Sequence, residues 1–170
     1  ADGPANGGVA VFNTRSWKHG GLVTLSPSES GKGDRVTEDQ GKDAPAQRLS
    51  TGELVFLASD VPAFGSRHYR VVKGKCPLAD GCKLDGTTLE NQFLRVTLDP
   101  ATGNITQLVN LATGRNFADA KVNGGLNAFR WLPGNRNEPK ADTDIAISAV
   151  ESGPLVVELR VTSKATGCRA

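Results

Sequence analysis

Carboxylates, histidines and cysteines are the residues of this 170-residue chain whose types could do chemistry. Asp142 and Asp144 lie two apart on a strand or its lead-in and so could share a face. Asp39 and Asp43 lie in a polar loop. A carboxylate pair works as acid and nucleophile only when the two sit about 5 Å apart in a setting that raises one pKa. Nothing apolar surrounds either pair, so both read as solvated. The only histidines, His19 and His68, fall in separate strand-like segments without a nucleophile motif or a ligand pattern. "GKGDR" (Gly31 to Arg35) lacks the phosphate-loop pattern and reads as a loop. No catalytic residue and no metal ligand is assigned from the residues.

Of the three cysteines, Cys76 and Cys82 flank "CPLADGC", a loop that a disulfide could close. Free thiols are the competing reading, with zinc behind, since zinc sites usually pair CxxC units with two further ligands. A bridge would favour an extracytoplasmic or secretory compartment. Cys168 is left over and reads as a small apolar filler.

The elements that would carry these residues are strands. Leu94, Val96 and Leu98 alternate with Arg95 and Thr97, and Val157, Leu159 and Val161 alternate with Glu158, Arg160 and Thr162. Ile145 and Ile147, and Tyr69 and Val71, repeat the period of two that marks half-buried antiparallel strands. Turn signals separate them, among them Gly20-Gly21, Asp85-Gly86, Gly124-Gly125 and Ser152-Gly153-Pro154. Within "LDPATGNITQLVN", Asp99 to Gly103 predicts a hairpin connection, with Pro100 second in a type I turn and Gly103 where a positive φ is needed. Asn104-Ile105-Thr106 matches a glycosylation sequon inside that hairpin. No window sustains a helical stripe. The fold class predicted is all-β, an antiparallel β-sandwich in two consecutive units. Residues 27–46 are polar and read as strand pieces and loops around Val36 and Ala44-Pro45. Residues 73–87 are polar and Gly-rich, and they divide a unit at 1–80 from one at 85–170.

The formal net charge is +2, with Lys and Arg interspersed among Asp and Glu, which argues against nucleic acid as a partner. No apolar run approaches a membrane span, and "ADGPANGG" has neither the basic start nor the apolar core of a signal peptide.

The order of longer phrases carries a resemblance. "VFNTRSWKHGGLVTL", "PAQRLSTGELVFLASDVPAFGSRHYRV", "LENQFLRVTLDPATGNITQLVNLATGRNF" and "ESGPLVVELRV" follow one another here. Together they resemble the region after the catalytic barrel in α-mannosidases of glycoside hydrolase family 38. The resemblance runs from Val11 to about Cys168 and is weakest across 27–44 and 73–84. It implies a small β-sandwich followed by the truncated start of a β super-sandwich. It also implies catalytic machinery upstream, in a missing barrel where an Asp nucleophile and a carboxylic acid perform retaining hydrolysis. A zinc ion held by His and Asp would grip the sugar in that missing catalytic domain.

"GLNAFRWLPG" (Gly125 to Gly134) resembles the family segment in which an aromatic, usually Tyr, reaches the sugar pocket. The matching position here is Phe129, which can wall a sugar face but has no hydroxyl to bond a sugar oxygen. The competing reading makes Phe129 and Trp131 ordinary strand aromatics, and Trp17 a domain anchor or core residue. The expectation is an excised, non-catalytic β portion of an α-mannosidase-like glycosidase, inactive alone. Its partners would be the missing barrel and mannose-containing glycans, with self-association through an exposed strand edge. The rivals are a free-standing carbohydrate-binding module, against which 5% aromatic content weighs, and a plain interaction module.

Overall fold

The structure, a computed structural model, describes residues 8–75, 81–122, 124–132, 134 and 138–164. It is built from antiparallel strands, and the chain divides into two compact units. Residues 1–80 with 153–156 form the first, and residues 81–152 with 157–170 the second.

In the first unit, β1 (Gly8–Phe12), β7 (Ser66–Val72), β3 (Arg35–Glu38) and β4 (Asp43–Ala44) make one sheet in that order. β2 (His19–Leu25), β6 (Leu54–Val61) and β5 (Ala46–Arg48) make the other. Inward residues of both meet in one core, with Val36, Ala44 and Tyr69 from the first sheet against Leu25, Ala46, Leu54, Phe56, Ala58 and Val61 from the second. Two apolar faces meeting in this way make a β-sandwich.

β6 departs from simple alternation, because Leu54, Val55 and Phe56 are all buried. The reason lies on its other face. Val55 pairs across to Gln47, also buried. The Gln47 amide oxygen accepts from the backbone N–H groups of Leu155 and Val156 at 3.0 and 2.9 Å, and its Nε2 donates to the Val156 carbonyl at 3.0 Å. One side chain thus satisfies three polar groups of a covering segment, as burial requires.

Within the polar stretch 27–46, one feature differs from the expected strand pieces and loops. Pro27–Ser30 forms a single helical turn, α1. Ser26 and Glu29 make a reciprocal capping box, and Pro27 supplies a preset φ at the first position. The bonds from Ser26 hold the Glu29 carboxyl below the usual carboxylate range. "GKGDR" is a loop, as expected, and Arg48 gathers it. The guanidinium donates to the Gly31 and Gly33 carbonyls and to Ser30 Oγ, while pairing with Asp34 at 2.9 Å.

Tyr69 provides a pH test of this core. Burial, and secondarily the Glu38 carboxylate, push its hydroxyl above the ordinary tyrosine range. The folded state therefore favours the neutral phenol. That contribution is complete below about pH 10, the unfolded value, and is lost as pH rises through the higher folded value. Melting temperature should hold up to about pH 10 and fall beyond it. Tyr69→Phe should flatten part of that alkaline loss, and an unchanged slope in the variant would refute the assignment.

In the second unit, β11 (Ile105–Asn110), β10 (Leu94–Leu98), β9 (Thr88–Glu90) and β8 (Lys83–Asp85) form a meander. β12 (Arg130–Trp131) pairs with β13 (Lys140–Ala141), and β14 (Thr143–Ser152) with β15 (Val157–Lys164). The turn between β10 and β11 forms as its sequence predicts. Asp99 Oδ1 accepts from the Ala101 N–H at 2.7 Å, Gly103 N–H donates to the Asp99 carbonyl at 2.8 Å, and Gly103 has φ +71°. Above Gly103 lie the side chains of Val161 and Ile145, so the turn packs beneath the β14–β15 hairpin.

Candidate functional site

The recess around Phe129 is built by the shortest strands. β12 and β13 pair Arg130 with Ala141 and Trp131 with Lys140. One step beyond the first rung, that register places Phe129 opposite Asp142. Residues opposite one another in an antiparallel pair project to the same side with Cβ atoms about 5 Å apart. The floor comes from the β10–β11 turn, which contributes Ala101, Thr102 and Asn104. The space enclosed among these residues with Arg130 and Ala141 is about 70 Å³. Phe129 stands at its rim, 46% exposed.

Asn104 holds this floor in place. It is 9% exposed, its Nδ2 donates to the Gly124 carbonyl at 3.3 Å, and its backbone N–H donates to Thr102 Oγ1 at 3.3 Å. Gly125 then passes directly over Ile105, and Ile105 and Leu126 exchange backbone bonds of 3.0 and 2.9 Å. These bonds bring the 124–129 segment against the turn. The sequon asparagine is therefore a buried structural residue, and its amide nitrogen is engaged.

The other candidates fall elsewhere. Asp142 and Asp144 do not share a face as expected, because the β14–β15 register shifts between Thr143 and Ala146 and Asp144 takes φ +53°. Alternation fails at such a bulge. Asp144 pairs with Lys164 at 3.1 Å in the open. Asp43 also differs from the solvated loop residue expected, because it opens β4 and takes a two-pronged contact from Arg35, at 2.6 and 3.2 Å. Asp39 is 3.6 Å from Arg70 on the surface.

His19 begins β2 and His68 lies mid-β7, in different sheets. Trp131 is half-buried in β12. Trp17 is exposed rather than in the core, with the Arg15 guanidinium 5.5 Å from its ring centroid. Cys82 is half-buried, whereas Cys76 and Cys168 lie outside the described residues, and with them the proposed bridge.

A larger recess of about 220 Å³ lies in the first unit, between β1 and β2, beside exposed Phe12 and Leu22. Its buried polar residue is committed inward, since Asn13 Nδ2 donates to the carbonyls of Trp17, Val61 and Pro62 and its Oδ1 accepts from Arg15 N–H. Among the described residues, no three His, Cys, Asp or Glu side chains gather as a metal site.

The Phe129–Asp142 recess thus combines an aromatic face, a carboxylate and a hydroxyl in a space far smaller than a drug-sized pocket. Of the residues lining this recess, Phe129 is the one that the family resemblance singles out. In the sequence, Thr102 carries only a turn signal and Asn104 only a sequon. Sequence spacing pairs Asp142 with Asp144, whereas its neighbour in the recess, Phe129, lies 13 residues upstream.

Residues 89–169 match the family described as the glycosyl hydrolases family 38 C-terminal domain. Among solved structures, a family 38 glycosyl hydrolase protein from Enterococcus faecalis matches with a TM-score of 0.57 at 13% identity. The match covers 92% of this chain and 24% of that one, so this chain spans about a quarter of its relative's length. No curated protein matches the chain. Residues 89–169 are thus similar to the C-terminal domain of the family 38 glycosyl hydrolases, and the chain shares the fold of the matching part of a family 38 structure.

Proposed function

We propose that this chain is the non-catalytic β-sandwich portion of an α-mannosidase-like glycosidase. In this reading it supports a catalytic barrel and presents Phe129 as one wall of the sugar pocket. The observation that carries the reading is the match of residues 89–169 to a domain described as C-terminal, in a chain covering a quarter of its structural relative. The parent would hydrolyse α-mannosidic bonds with retention, using a zinc ion that the catalytic part would hold. This chain's contribution would be positional. A half-exposed Phe ring offers an apolar surface to the C–H face of a pyranose, and the hairpin behind it fixes the ring's place.

The purified chain should release no 4-nitrophenol from 4-nitrophenyl α-D-mannopyranoside. Co-expressed with the catalytic portion of a family 38 glycosidase, it should co-purify and yield turnover that chelation abolishes. Chelator-sensitive turnover by the chain alone would place the chemistry within these residues and overturn the proposal.

A further inference from the structure

We propose that the recess beside Phe129 is a binding site for the hydroxymethyl arm of a hexopyranose, with Asp142 as the acceptor for its hydroxyl. The inference rests on the reading of Phe129 as a sugar-facing aromatic and assigns what lies next to it.

Size is the first argument. A space of about 70 Å³ admits a CH₂OH group or a few waters, and it is too small for a pyranose ring. A ring lying on the exposed face of Phe129 would remain outside and send only its exocyclic arm inward. Position is the second. The Arg130–Ala141 rung puts Asp142 directly across from Phe129, so a sugar against the ring has a carboxylate within reach of one substituent.

Chemistry is the third argument. Both the Asp142 carboxylate and the Thr102 hydroxyl can accept a hydrogen bond from a sugar O–H. Asp142 is half-buried, and Asn104 beneath the recess is pinned by its bond to Gly124. The floor is thus fixed before any sugar arrives, which lowers the cost of ordering it.

Phe has no hydroxyl, so the aromatic cannot read a sugar oxygen. Asp142 supplies that polar contact from the neighbouring strand. The site would then select for a substituent at C6, since a 6-deoxy sugar leaves the carboxylate facing the recess without a partner.

The test titrates the isotope-labelled chain, by amide chemical shift, with methyl α-D-mannopyranoside and with methyl 6-deoxy-α-D-mannopyranoside. The mannoside should perturb amides at Thr102, Phe129, Arg130 and Ala141. The 6-deoxy sugar should bind about tenfold more weakly, the effect of one hydrogen bond to a charged group. Asp142→Asn should erase that discrimination, and Phe129→Ala should weaken both sugars alike. Equal affinity of the unmodified chain for both sugars, or no perturbation near the recess, would overturn the proposal. That comparison needs no variant and so stands even if Asp142→Asn misfolds. A chain that complements the catalytic portion yet fails to discriminate loses the recess and keeps its proposed function. One that discriminates without complementing does the reverse.

Discussion

Gly125→Ala should cost the second unit at least about 3 kcal/mol, more than a surface glycine in a comparable turn. An added Cβ at Gly125 would stand 2.3 Å from the Ile105 carbonyl oxygen and 3.1 Å from its carbon. That oxygen belongs to the backbone, so no rotamer change relieves the clash. It is also the acceptor of the Leu126 N–H bond at 2.9 Å, one half of the bridge that ties the 124–129 segment to β11. The backbone at Gly125 has φ +108°, where side-chain-bearing residues incur about 1–3 kcal/mol of strain. Loss of the two bridge bonds adds about 1 kcal/mol each.

Gly114→Ala is the matched control. Its φ is +69°, but an added Cβ would meet nothing within 4 Å, so only the conformational cost of about 1–2 kcal/mol applies. Urea denaturation followed by Trp131 emission, in a Trp17→Phe background, reports the second unit alone. Equal losses in the two variants would show that the contact with Ile105 does not matter.

Much of this geometry was legible in the chain, because strand alternation is a local signal. Leu98 is buried in the meander, and Val96, Ile145, Ile147, Val157 and Leu159 are half-buried at the alternate positions expected, whereas Leu94 and Val161 of the same series are exposed. The Asp99–Gly103 turn follows from a short polar side chain, a ring-locked φ and a residue without Cβ, all within five positions.

What escaped depends on contacts distant in sequence. Val55 breaks the period of two because residues 155 and 156, a hundred positions later, cover the second face of β6. The bulge at Asp144 turns a two-residue spacing into different surroundings for Asp142 and Asp144. The recess needed the pairing of two strands of two residues each, too short for any periodicity to reveal. Its one legible member, Phe129, came from resemblance to a family segment rather than from spacing.

Phe56→Ala should be the most damaging single change in the first unit, at about 3–5 kcal/mol. Phe56 is fully buried at the centre of β6, and its ring lies 4.9 Å from that of Tyr69, tilted by 52°. The contact crosses the sandwich, because β6 and β7 belong to different sheets. Truncation removes the transfer energy of a large apolar side chain and leaves a cavity beneath Tyr69. It also removes an aromatic pair in a favoured tilted arrangement, worth about 1 kcal/mol beyond its buried area. Small domains have about 5–15 kcal/mol in total, so this loss is a large part of the whole.

Leu22→Ala, on β2 of the same sheet as Phe56, is the contrast. Leu22 is 55% exposed, and its loss should cost less than about 1 kcal/mol. Hydrogen exchange of the β6 and β7 amides measures both effects, because those strands carry the sandwich and should open only with global unfolding. Protection should drop about a hundredfold or more in Phe56→Ala and by less than tenfold in Leu22→Ala. Similar protection in the two variants would mean that the Phe56–Tyr69 contact does not hold the two sheets together.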